Sequence, residues 1–309
     1  MKKVAFIFPG QGSQTVGMGK NFFENSDIAK DMISKASDRL GIDFEKLLFE
    51  ENENLGKTEF TQPAILLVSS IACAIFKEKC NITPEFVLGH SLGEFSALVA
   101  AGAMDYLDAV ELVHKRGLFM TEACSGGGAG MMALVGIDDA TVERVCEEQR
   151  ALGKKVWPAN YNMDGQLVLA GIKADLESLV DVFKASGAKR AIVLDMSVAS
   201  HCELLQSAVE SLKPYLEKYL KDEFMPVISN VSTNAYTTKA EAIELLASQL
   251  TSPVKYKQSV SSHSDKVDLF IEFGNGIVLK GLNKKITDKP TLNVSDMATL
   301  EAVLGELND

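Results

Sequence analysis

Residues 88–98 read LGHSLGEFSAL, so Ser91 stands between Gly89 and Gly93 in a G-x-S-x-G pattern. An apolar run from Phe86 to Leu88 precedes it, and a helical apolar run from Phe95 to Ala101 follows. Strand, sharp turn, serine and helix in that order make a nucleophile elbow. A serine hydroxyl is a weak nucleophile at neutral pH. It needs a base within hydrogen-bond reach and donors for the oxyanion that attack creates. The elbow leaves the backbone N–H of Leu92 free to face that oxyanion. The competing role for Ser91 is a plain helix cap.

The base should be one of the four histidines. His90 adjoins the serine and is expected to point away from it. His114 falls in a helical pattern and His263 in the polar run SSHSD, where a solvated loop is the simplest reading. His201 follows a strand and the short loop SVAS and opens a helix, the place where such folds present a base. Periodicity favours His201 and leaves His263 as the alternative. No acid is marked out to orient it. A backbone carbonyl can do so instead, so a Ser–His dyad is expected.

These groups need a scaffold. Val4 to Phe8 reads as a buried strand, followed by helical patterns at 21–40 and 62–79, strand 86–89, and helices at 92–103 and 106–122. That alternation predicts an α/β fold with a parallel sheet. CSGGGAG, residues 124–130, reads as a flexible junction, and the rhythm then changes. Strand 131–136, helix 138–150, strands 155–160 and 166–171, helix 173–187 and strand 190–196 follow in β-α-β-β-α-β order, that of a ferredoxin-like unit. The α/β pattern then resumes with helix 203–220, strand 226–229, helix 237–251, strand 268–273 and helix 277–286. The expected organisation is a large α/β-hydrolase-like domain, residues 1–125 and 197–309, with a small ferredoxin-like domain, 126–196, inserted in it.

The 309 residues are 46% hydrophobic and carry a net charge of −11, which speaks against a general nucleic-acid binder. The longest apolar stretch, Ala64 to Phe76, is interrupted by Ser69 and Ser70 and is too short to span a membrane. The apolar run after the two N-terminal lysines stops at Pro9, too soon for a signal peptide. Cys73, Cys80, Cys124, Cys146 and Cys202 form no C-x-x-C pair and point to reduced thiols in a cytoplasmic enzyme. No histidine spacing suggests a metal site. Two nucleotide-loop patterns fail: G-x-G-x-x-G from Gly10 meets Thr15 where glycine is needed, and a phosphate loop ending in GKT at 56–58 meets Glu51.

Taken in order, FPGQGSQ (8–14), TQPA (61–64), GHSLGE (89–94), KRG (115–117), ANYN with GQLVLAG (159–171), SVASHC (197–202), QLTSPV (249–254) and GNGIVLKGL (274–282) resemble the malonyl-CoA:acyl carrier protein transacylase family over essentially the whole chain. The resemblance implies transfer of malonyl from malonyl-CoA to the phosphopantetheine thiol of acyl carrier protein through a malonyl-serine. Ser91 would be nucleophile and His201 base. Gln11 would join the Leu92 N–H in the oxyanion hole, and the Gln249 carbonyl would orient His201. Arg116 would bind the malonyl carboxylate, because a planar guanidinium offers two parallel donors. Its competing role is a helix-surface pair with Glu111 or Glu122. Asn160 and Asn162 would line the pocket. Gln62 could be a helix-start residue and Cys202 a small packed one. No cofactor or metal is implied beyond malonyl-CoA as acyl donor, and the protein would be a monomer. Two features depart from the family pattern. The late loop, commonly G-P-G, is Gly274-Asn275-Gly276. The ending Ala199-Ser200-His201 is associated in related polyketide acyltransferases with methylmalonyl selection. A trans-acting polyketide acyltransferase, a serine thioesterase or esterase, and a non-catalytic docking subunit are the alternatives. Lys189, Arg190, Lys280, Lys284 and Lys285 are candidates for a basic patch that would meet an acidic carrier protein.

Overall fold

The computed structural model describes residues 2–196 and 198–308. Ser197, where the sequence predicts the return to the large domain, lies outside them. In chain order the strands are β1 (Val4–Phe8), β2 (Phe86–Gly89), β3 (Ala129–Val135), β4 (Val156–Met163), β5 (Gln166–Ile172), β6 (Arg190–Val193), β7 (Glu223–Ile228), β8 (Ala235–Thr238), β9 (Leu269–Phe273) and β10 (Thr291–Val294). The first sheet has the order β10-β9-β1-β2-β7-β8, and all pairs are parallel except β7 with β8.

Period-two alternation decides how this sheet is covered. Phe6 and Phe8 of β1, with Val87 and Phe273, face a cluster built with the long helix Thr58–Lys79. Ala5 and Ile7, with Phe86, Leu88 and Phe270, face Tyr256, Val260 and Leu279 on the other side. A sheet covered on both faces carries near-continuous apolar strands, as in VAFIF and LFIEF, whose residues are all buried. Since β1, β2, β7 and β9 run parallel, the loops that follow them gather at one edge, where ligands bind in such sheets.

The second sheet has the order β4-β5-β3-β6, with every neighbouring pair antiparallel. Helices Asp139–Ala151 and Lys173–Ala185 cover one face through Val142, Val145, Leu176 and Phe183. The other face carries Ala129, Met131, Ala159 and Ala170 and meets Ala199 and Cys202. The two units are stitched at β4: Val254 N–H donates to the Ala159 carbonyl (2.8 Å) and Tyr161 N–H to the Val254 carbonyl (2.9 Å). Lys257 adds ion pairs to Asp139 and Asp164 of the smaller unit.

Several expected elements change. The pattern at 21–40 is two helices, Lys20–Asn25 and Asp27–Leu40, because Ser26 between them is extended. The next helix begins at Thr58, so Pro63 lies inside it. Proline offers no N–H to the Glu59 carbonyl four residues back. His114 Nδ1–H takes that carbonyl instead, at 2.7 Å, which gives His114 a structural task. The helix is long and apolar enough to cross a membrane, but 83% of its apolar window is buried inside the fold, as in a core helix. Strand 190–196 ends at Val193, and the pattern at 203–220 begins with a 3₁₀ turn, Glu203–Leu205. Helices Phe44–Phe49, Tyr256–His263 and Met297–Asn308, and strands β8 and β10, were not predicted. His263 is buried at a helix end with its ring edge-on to Phe86. It is not a solvated loop residue.

Candidate active site

The elbow is held by contacts that only glycine permits. A Cβ on Gly89 would lie 1.8 Å from the Gly93 carbonyl carbon, and one on Gly93 would lie 2.0 Å from the Phe8 oxygen. The chain after β2 therefore turns hard against the end of β1 and throws Ser91 into the left-handed region, φ 52°. That conformation is costly for a residue other than glycine and marks functional turns. His201 is likewise left-handed, at φ 61°.

Ser91 Oγ lies 2.7 Å from His201 Nε2, and His201 Nδ1 lies 2.7 Å from the Gln249 carbonyl. A carbonyl only accepts, so the ring proton sits on Nδ1, and the Nε2 lone pair faces the serine hydroxyl. Burial first, and then the nearby Arg116 charge, push the His201 pKa down to about 3. The ring is thus neutral at physiological pH and able to accept a proton. Leu92 N–H, at the entry to helix Gly93–Ala100, and Gln11 N–H take no acceptor among the described residues. Both residues line the same cavity as Ser91. The Gln11 side chain instead donates to Thr58 Oγ1 at 3.3 Å.

Arg116, on helix Tyr106–Ala123, is only 1% exposed. Its neighbour Gly117 lets this helix press on the helix that begins at Thr58, since a Cβ there would come within 2.6 Å of Glu59 Cα. That close approach sets Arg116 Nη1 2.8 Å from Gln62 Oε1, while Nη2 lies 3.1 Å from Gln249 Oε1. The guanidinium stands 5.3 Å from the Phe95 ring centre, within cation–π range. Its Nε–H has no acceptor among the described residues. The helix-surface pair is excluded, because Glu111 binds Arg39 and Arg116 faces inward. Burial lowers the Arg116 pKa to about 10, against the pull of Glu94, so the group stays charged at neutral pH.

The cavity, about 570 Å³, lies between the two units. Ser91, His201, Arg116 and Gln62 line it from one side, and Met131, Asn160, Asn162 and Val168 from the other. Asn162 Oδ1 accepts from His90 Nε2 at 2.8 Å, so the His90 ring, which also lines the cavity, is engaged by Asn162. The substituted late loop is tied down: Asn275 Nδ2 donates to the Ser13 carbonyl (2.6 Å) and to Thr15 Oγ1 (2.9 Å).

Three residues here have no role assigned from sequence, Glu94, Asn230 and Tyr236, and Gln62, read as a helix-start residue, lies inside its helix and binds Arg116. Glu94 Oε2 accepts from Gln249 Nε2 (2.7 Å) and Asn230 N–H (3.1 Å), and Oε1 accepts from Tyr236 Oη (2.9 Å). Burial pushes its carboxyl up to about 7, while these three bonds and Arg116 pull it back. The available signal was a polar residue inside an apolar helix, at Gln62 and Glu94. Nothing in the local sequence marks Asn230 or Tyr236.

An elbow serine bonded to a neutral histidine, on a parallel sheet, with a buried cation in the same cleft, defines an acyltransferase site. A family described as acyl transferase domain matches residues 5–303. A malonyl CoA-acyl carrier protein transacylase of Bacillus subtilis is 43% identical over 313 aligned positions, covering 100% of this chain and 98% of its own length. A solved malonyl-CoA:acyl carrier protein transacylase from Helicobacter pylori superposes with a TM-score of 0.96 at 45% identity, covering 100% of this chain and 99% of that one. A malonyl-transacylase solved in complex with its type II PKS acyl-carrier protein gives 0.94 at 37% identity, covering 98% and 99%. The chain belongs to the malonyl CoA-acyl carrier protein transacylase family.

Proposed function

We propose that this enzyme moves a malonyl group from malonyl-CoA to the phosphopantetheine thiol of acyl carrier protein, supplying fatty-acid synthesis. One observation carries the reading: Ser91 Oγ is 2.7 Å from a neutral, carbonyl-oriented His201, in a cavity that also holds a buried arginine hydrogen-bonded to two amide oxygens. His201 takes the Ser91 proton as the oxygen attacks the thioester carbonyl. The oxyanion settles on the N–H groups of Leu92 and Gln11. The intermediate collapses, CoA leaves as its thiol with the proton from His201, and malonyl-Ser91 remains. The carrier thiol then attacks with His201 again as base, which makes the kinetics ping-pong. Arg116 receives the malonyl carboxylate, and its unpartnered Nε–H supports that role. An unpaired cation in a closed pocket disfavours acyl groups without a carboxylate. Asn160 and Asn162 bound the cleft opposite. The chemistry proposed uses protein groups and the thioester alone.

We also read the large unit, 1–125 with 197–309, as an α/β-hydrolase-like domain and 126–196 as a ferredoxin-like insertion, a reading the β4-β5-β3-β6 order supports. The unpaired cysteines support a cytoplasmic setting, and a cleft complete within one chain supports a monomer. Intact mass after mixing with malonyl-CoA alone tests the function. A malonyl adduct that Ser91→Ala abolishes is expected. Free malonate without adduct would make the enzyme a thioesterase, and neither product would leave a docking subunit.

A further inference from the structure

Glu94 is 1% exposed and hydrogen-bonds none of the reacting atoms, yet both residues it holds through Oε2 bond to the backbone of Ser91. Asn230 Oδ1 accepts the Ser91 N–H at 2.7 Å, and its Nδ2 donates to the Gly89 carbonyl at 2.6 Å, so it braces the elbow from both sides. Gln249 gives its carbonyl to His201, its Oε1 to Arg116, and its Nε2 to the Ser91 carbonyl (3.2 Å) as well as to Glu94. Gln249 Nε2 and Asn230 N–H both donate to Oε2, so this oxygen accepts whether or not Oε1 carries a proton. It therefore draws the Gln249 NH₂ toward itself and turns the amide oxygen toward the guanidinium. The reversed amide would set donor against donor at Arg116.

We propose that Glu94 is the positioning residue of this site: by accepting from Gln249 and Asn230 it fixes the aim of Arg116 and the backbone of Ser91. The inference rests on the functional reading above, with Ser91 as acyl carrier and Arg116 as carboxylate clamp. It makes malonyl selectivity depend on a side chain that never meets the substrate.

The test is single-turnover labelling of Ser91 by malonyl-CoA and by acetyl-CoA, read by intact mass, with melting curves to show that each variant is folded. Glu94→Met removes the acceptors at similar length. It is expected to slow malonylation by roughly tenfold to hundredfold and acetylation by less, narrowing the preference for malonyl. Glu94→Gln, which keeps one oxygen for both partners, is expected to recover most of that loss. Should Glu94→Met fail to fold, Gln249→Met cuts the link to Arg116 while leaving the carbonyl for His201, and the same narrowing is expected. An unchanged malonyl-to-acetyl ratio in folded Glu94→Met or in Gln249→Met overturns the proposal. So does equal slowing with both donors, the mark of a merely structural role, and so does Glu94→Gln as impaired as Glu94→Met. Wild-type protein that takes no malonyl on Ser91 is a separate outcome: it removes the functional reading, and this inference with it.

Discussion

In the large sheet β1, β2 and β9 are buried along their whole length, with aromatic or branched residues on both faces. In the small sheet most bulky residues crowd under two helices, and the other face carries Ala129, Ala159 and Ala170 beside Met131, Trp157 and Val168. The large unit can therefore hold what is costly: left-handed serine, glycines in backbone contact, and a buried arginine within the electrostatic reach of a buried carboxylate. Such strain persists only where the surroundings over-determine it. The small unit supplies an apolar wall, Met131 and Val168 among it, and two asparagines. Chemistry and enclosure are thus divided between the two units.

Substitutions that ignored this division would break the comparison. The largest effect is expected in the large unit: Ser91→Ala removes the adduct altogether, and His201→Ala slows acylation by about 10²–10⁴-fold. Asn162→Ala, across the cleft, should change the rate severalfold at most. A comparable loss there, measured by the same labelling assay, would mean that the small unit shares in the chemistry. Gly93→Ala comes next. Its Cβ would meet the Phe8 carbonyl oxygen at 2.0 Å, and backbone cannot give way as a side chain can. A destabilisation above about 4 kcal/mol is expected, read by denaturant melts. Near wild-type stability would show that the elbow is looser than its contacts indicate.

The same division governs what could be read from the sequence. Ser91 was legible because strand, glycines and helix are contiguous around it. The parallel sheet was legible because doubly buried strands are apolar throughout. Periodicity favours His201 but leaves His263 as an alternative, since each lies near a helix boundary. Only the fold shows one facing Ser91 and the other packed on Phe86. Gln62 stayed hidden because its partner Arg116 is 54 residues away, and Asn230 because it serves Ser91 across 139. Helix Phe44–Phe49 and strands β8 and β10 are too short for a period to show. The resemblance supplied the roles of Arg116 and Gln249, which spacing alone did not.

Arg116→Ala sharpens the comparison in the pocket. Loss of a bidentate charge-assisted contact should cut the malonyl-to-acetyl ratio of Ser91 labelling by about a hundredfold. A ratio that stays put would leave selectivity to the small unit's wall. An effect of similar size concerns stability. Glu272, buried at the end of β9, accepts from Leu279 and Lys280 N–H, and burial raises its carboxyl from 4.5 to about 7. A folded state that holds its proton more tightly is favoured below the unfolded pKa and loses that advantage as pH rises through the folded one. Wild type should therefore lose roughly 3 kcal/mol relative to Glu272→Gln between about pH 4.5 and 7. Parallel melting curves for the two proteins across that window would contradict it.

The smallest expected effects lie on the exposed basic residues that are the candidates for meeting the carrier protein. Lys189 and Arg190 are exposed beside and on β6 of the small unit, and Lys284 and Lys285 are exposed on helix Val278–Ile286 of the large one. Lys280, on the same helix, is half-buried and donates to Asn293 Oδ1 at 3.0 Å, which leaves it less free to meet a partner. Exposed pairs contribute about 1 kcal/mol or less. Reversing either pair to glutamate should thus raise the carrier's KM only about threefold, with Ser91 malonylation from malonyl-CoA unchanged. If only the Lys189–Arg190 reversal acts, the small unit is the docking side and its part in the enzyme is access. If only the Lys284–Lys285 reversal acts, the large unit receives the partner as well as performing the chemistry. A fall in both half-reactions would place these charges at the cleft rather than at the carrier.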